Sequence, residues 1–252
     1  MKSDYTNRLP LIAGLCSIGA LSWAYLLYQD WAMRHMDVVA MAMPSTQEWG
    51  AADLFLVFSM WAIMMVAMML PSVTPMVLLF ENVIRRSRTQ YKHATATWSF
   101  LLGYLTVWTG FSLLATAGQW WLHHLSLLSP AMVANSPLLG GMLLILAGVY
   151  QWTPVKRTCL AHCRSPMEFL MVHWRPGALG ALRMGVRHGL YCAGCCWLLM
   201  AVLFVVGVMN LAWIIVLSIL VLAEKLVPPG IWLARASGLL LVGWGAGLLI
   251  SA

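Results

Sequence analysis

His188-Gly189-Leu190-Tyr191-Cys192-Ala193-Gly194-Cys195-Cys196-Trp197-Leu198-Leu199-Met200 opens a run of 36 residues, His188 to Ala223, without a fixed charge. As helix, at about 1.5 Å per residue, the run spans about 54 Å. Two passes of a hydrocarbon core about 30 Å thick need slightly more. The run therefore reads as a tight helical hairpin turning near Gly207–Leu211, with Asn210 as cap. Residues three and four apart share a helix face, so His188, Cys192, Cys195, Cys196 and Met200 form one stripe of imidazole, thiols and thioether. Such ligands select Cu(I), Zn(II) or iron–sulfur chemistry over magnesium or calcium. The plain alternative is packing, since buried free cysteine behaves as a small hydrophobe.

The rest of the composition agrees with a membrane chain. Of 252 residues 62% are hydrophobic and 9% charged, with mean hydropathy +0.81, whereas soluble domains carry roughly 25% charged residues. The expectation is an all-α, polytopic membrane helix bundle forming a single integral membrane domain over residues 1–252. About seven transmembrane helices fit, with six as the other count. Alternating extramembrane segments hold 14 of the 15 basic residues. Cytoplasmic loops are the ones enriched in Lys and Arg, which puts the N-terminus in the cytoplasm. Topology accounts for the net charge of +7, and no nucleic-acid partner is needed.

Leu9–Tyr28 is long enough to span, and no small-residue cleavage motif follows it, so it reads as a retained helix and not a signal peptide. Residues 29–53 form an outer Met/His loop with Met33, His35, Met36, Met41 and Met43, which reads either as an outer entry point for a soft metal or as methionines lying on the protein or in the interface. Leu54–Phe80 has no charge and a methionine stripe in which Met64 and Met68 are candidate ligands across the bundle; Pro71 and Pro75 should kink it. Between His93 and Val155 there is no Asp, Glu, Lys or Arg, and two helices fit there. An inner Cys/His loop, residues 153–187, carries Cys159, His162 and Cys163, a three-ligand metal station or half a zinc site. Glu224 and Lys225 are expected to pair at the inner interface. Gly243 and Gly247 have the GxxxG spacing of helix packing.

Several segments carry a resemblance. Tyr150-Gln151-Trp152-Thr153-Pro154-Val155-Lys156, then Cys159, Cys163-Arg164-Ser165-Pro166, is one. Others are His173-Trp174-Arg175-Pro176-Gly177, Gly185 through Met200, Gly207-Val208-Met209-Asn210, Glu224-Lys225, and Trp61 followed by Ala67-Met68-Met69-Leu70-Pro71. Together, over residues 55 to 250, they resemble the bacterial family described as predicted metal-binding integral membrane proteins (domain of unknown function 2182). The resemblance implies metal binding in a bacterial inner (cytoplasmic) membrane and names neither metal nor reaction.

Outer methionines, a methionine stripe, a three-cysteine helix and an inner Cys/His station make a graded series of soft sites. Conduction needs successive sites of moderate strength. The expected function is handling of Cu(I), as a transporter or as a donor to membrane cuproenzymes, with the bilayer, the metal ion and a metallochaperone or cuproenzyme as partners. Two other classes remain beside it: a thiol–disulfide redox enzyme, and a scaffold holding structural zinc. The redox class is disfavoured by topology, which puts the inner cysteines in a reducing compartment. Charged residues are too few and scattered for another catalytic constellation, so no enzyme is expected.

Overall fold

In hydrocarbon every backbone polar group must be satisfied internally, and this chain meets that demand with helices. The computed structural model describes residues 9–35, 49–86, 93–125, 136–228 and 230–251. In order they form α1 (Leu9–Arg34), α2 (Ala51–Arg86), α3 (His93–His124), α4 (Pro137–Tyr150) and α5 (Pro154–Arg164). There follow α6 (Pro166–His173), α7 (Gly177–Ala201), α8 (Leu203–Val206), α9 (Leu211–Leu226) and α10 (Gly230–Ile250). Among the described residues there is no strand.

Among the described residues five helices are long and apolar enough to cross a membrane: α1, α2, α3, the Gly177–Val206 stretch of α7 and α8, and α10. A sixth exists if α4 and α5, bent by 61° at their junction, count as one broken span. The seven hydrophobic segments of the sequence are all helical, but α4 has 14 residues and α9 has 16. At about 1.5 Å per residue both fall short of a core about 30 Å thick.

Two glycine contacts set the bundle. Extensive packing joins α3 to α7, because Gly103 faces the backbone of Leu182 and Val186 while Gly185 faces that of Phe100. A Cβ on Gly189 would lie 2.9 Å from Val107 Cγ2. The second contact joins α4 to α10 through Gly141 and Gly148 against Gly245 and Gly238. Each of those pairs is two turns apart, hence on one face. The GxxxG expectation at Gly243 and Gly247 is corrected: nothing lies within 4 Å of a Cβ at either.

The hairpin after α7 turns at Gly207, whose φ of 101° favours glycine. Asn210 caps α9, its Oδ1 accepting from Trp213 N at 3.4 Å. The expected inner loop 153–187 is largely helical instead. Thr153 caps α5, with Pro154 in its first turn, and α7 begins at Gly177. The short α5 lies along α7 and buries Lys156 and Leu160. Lys156 Nζ meets Glu224 Oε2 at 2.7 Å, both side chains at most 1% exposed. Glu224 thus pairs with Lys156 and not with its neighbour Lys225. Adjacent residues point to different sides of a helix, and only those three or four apart share one.

Candidate metal centre

The stripe of α7 faces the interior. His188, Cys192, Cys195, Cys196 and Met200 are all at most 4% exposed. The thiols of Cys195 and Cys196 donate to the Cys192 carbonyl at 3.1 and 3.0 Å, which turns both sulfurs back along the helix. Cys192 Sγ sits among the thiols of Cys163, Cys195 and Cys196. It takes Lys225 Nζ at 3.0 Å and lies 3.0 Å from Tyr104 OH. Lys225 Nζ also donates to Ser72 Oγ at 3.0 Å. Three helices, α2, α3 and α9, thus each send one polar group to one sulfur on α7 or to its lysine.

From α5, Cys163 brings a fourth thiol, close enough to interact with those of Cys192 and Cys195. Cys159 lies one turn earlier. Its Sγ fits against α7 because residue 194 is glycine; a Cβ there would stand 2.8 Å from the sulfur. Tyr150 OH donates to Gly194 O at 2.5 Å, so the bend between α4 and α5 is tied to the same turn of α7. All six cysteines are free, and Cys16 is exposed on α1, far along the chain from this group.

Cys159, His162 and Cys163 of the expected inner station share one face of α5, but they go to different partners on α7. Cys163 turns to the α7 thiols. The His162 ring instead stacks on Tyr191, with centroids 4.2 Å apart and planes at 10°, and its Nδ1 lies 2.9 Å from Thr158 O. His188, one turn before Cys192, is enclosed by Phe169, Tyr104 and Phe100 with centroids at 5.2, 6.0 and 6.1 Å. Its Nδ1 has no hydrogen-bond partner. Met64 and Met68 are buried on α2, two turns and one turn from Ser72 respectively. Met33 lies in the last turn of α1 and His35 just past its end, where it stacks on Trp31 at 4.8 Å. Met36, Met41 and Met43 lie outside the described residues. Among those described, no group of three His, Cys, Asp or Glu side chains stands in metal-holding geometry. The cluster as folded spends two S–H groups on a carbonyl, and only Cys192 Sγ meets a cation.

Sequence reasoning missed Tyr104, Ser72 and Lys225 as parts of this cluster. Lys225 carried a signal, because an ionisable residue inside a span is by default functional; the adjacent Glu224 masked it. Tyr104 and Ser72 carry no such mark.

The family model of PpoB2, described as a copper chaperone, matches residues 58–248. No curated protein and no solved structure gives a significant match. The matched span holds every thiol of the cluster, Tyr104, Ser72 and Lys225, and leaves out α1 and the outer Met/His residues.

Proposed function

We propose, for a chain that belongs to the PpoB2 copper chaperone family, that Cu(I) is carried as cargo by the interior thiols and handed to a membrane cuproenzyme. The observation that carries this reading is Lys225 Nζ at 3.0 Å from Cys192 Sγ. Soft thiolates select Cu(I), and a pair of them suffices to hold it. Structural zinc, by contrast, takes four ligands in a tetrahedron. Cu(I) with two thiolates carries one negative charge. An unpaired buried charge costs several kcal/mol, and the Lys225 ammonium cancels it. Cys192, whose sulfur meets Lys225, is the first ligand, and Cys163, on a separate helix, is the second. Cys195 and Cys196 become available once their S–H groups leave the Cys192 carbonyl.

Delivery fits better than conduction. The cluster is enclosed, and His188 and Met200 extend it by one turn at each end with a soft ligand. Met68 and Met64 line the neighbouring helix. A partner bearing thioether or imidazole ligands would take the ion by ligand exchange along that stripe. The orientation we adopt has the N-terminus in the cytoplasm of a bacterium and α5 and α6 at the inner face, on the distribution of basic residues.

The test uses protein reconstituted in vesicles holding a Cu(I)-responsive dye, with Cu(I) supplied outside. The donor reading expects copper bound to the protein and no dye response. Steady accumulation inside would make it a transporter, and no bound copper would remove the copper site.

A further inference from the structure

The copper reading leaves the turn from α6 into α7 unused. There Val172, His173, Arg175, Arg183, Met184 and Arg187 line a cavity of about 440 Å³. Arg183 and Arg187 are one turn apart on α7 and share a face. Arg175 comes from the connecting turn, which is held in place. Its backbone N–H donates to Met184 Sδ at 3.3 Å, and a Cβ on Gly180 would lie 2.6 Å from Arg175 O. Gly177, with φ 81°, makes the turn itself.

All three arginines are exposed, and none belongs to an ion pair among the described residues. No carboxylate lines the cavity. The local potential shows on His173, whose basicity is lowered first by partial burial and then by Arg187. Membrane topology asks for basic residues at this end of the bundle. It does not ask for three guanidiniums around one concavity with no acid among them. Arginine forks match phosphate oxygens two at a time. Apolar side chains are exposed close by in the chain: Val172, which lines the cavity, and Met171 and Leu179 on the same two helices are 71%, 72% and 60% exposed. A basic pocket with exposed apolar side chains close by, between helices at the cytoplasmic interface, suits an acidic headgroup whose chains run along the bundle.

We propose that this cavity binds a phosphate group through Arg175, Arg183 and Arg187, that of an anionic phospholipid or a free phosphate. The adopted orientation supplies the leaflet, and the copper site is not needed for it.

The full-length protein is purified as wild type, as Arg183→Gln/Arg187→Gln, and as Arg157→Gln, an exposed arginine on α5 outside the cavity. Native mass spectrometry counts retained phosphatidylglycerol against phosphatidylcholine, and calorimetry in lipid-free micelles titrates inorganic phosphate. The expected result is selective retention of phosphatidylglycerol, reduced about tenfold in the double variant, a loss of one decade in affinity, and unchanged in Arg157→Gln. Arginine-dependent phosphate binding in micelles without lipid selectivity upholds the site and assigns it to free phosphate. Equal behaviour of all three proteins in both arms overturns it. Should the double Gln variant fail to fold, Arg183→Lys/Arg187→Lys keeps the charge, loses the planar fork, and must still weaken binding.

Discussion

Lys225 Nζ lies 3.0 Å from Cys192 Sγ, with the lysine 7% and the cysteine 1% exposed. A lysine in that position is a standing positive charge in an apolar bundle, and the sulfur is the group best placed to answer it. Lys225→Met keeps most of the apolar stem and removes the ammonium. It should weaken Cu(I) binding at least about tenfold, since uncompensated buried charge costs several kcal/mol. Competition against a Cu(I) chelator measures this. An unchanged affinity would remove Lys225 from the copper site.

The number of protons released tests the same pair. Thiols bind metal only after losing protons, so affinity must rise with pH. If Cys192 is already a thiolate, a two-thiolate site releases about one proton, and log K rises by about one per pH unit. Lys225→Met should move that slope toward about two. A slope near two in the wild type would show Cys192 protonated beside the lysine.

The second buried lysine has a different task. Lys156 and Glu224 meet at 2.7 Å with essentially no exposure. Arg164 Nη1 donates to the Glu224 carbonyl at 3.2 Å. Together they fasten α5, and with it Cys163, to α9. Glu224→Gln strands the Lys156 charge and should destabilise the fold by about 3–5 kcal/mol. Glu224→Gln with Lys156→Met should recover most of that. Thermal melting in detergent reads both, and a double variant as unstable as the single would argue against the pair.

Glycine placement gives a contrast of opposite signs. Gly185→Ala drives a methyl into the Phe100 backbone and should cost about 1–3 kcal/mol by overpacking. Gly247→Ala meets open space and should be neutral or slightly stabilising, as alanine favours helix by up to about 1 kcal/mol. Melting midpoints that move together would contradict the α3–α7 contact.

What was legible in the sequence follows physical reach. Uncharged runs announce helices because hydrocarbon forbids anything else there, and the Gly207–Asn210 turn announces itself through local chemistry. The burial of Cys192, Cys195 and Cys196 on one face follows from helical period alone. Cys163's place beside them does not, because it depends on α5 folding back along α7. Lys225 and Glu224 looked like partners by adjacency, and phase separates them. The glycine pairs at 141/148 and 238/245 need two helices to be seen together; either alone shows only a seven-residue spacing, while the more familiar GxxxG at Gly243 and Gly247 drew the eye to the open side.

The central claim is that Cu(I) is held by Cys192 and Cys163. The direct measurement is copper content per chain of purified wild type and of Cys163→Ser/Cys192→Ser, each loaded anaerobically with Cu(I) and confirmed monodisperse by gel filtration. Serine is close in size and a hard ligand, so packing is kept while affinity for a soft ion goes. Wild type should hold about one copper per chain and the folded double variant essentially none, as expected when the metal depends on those deprotonated sulfurs. Equal copper in both folded proteins would contradict the account.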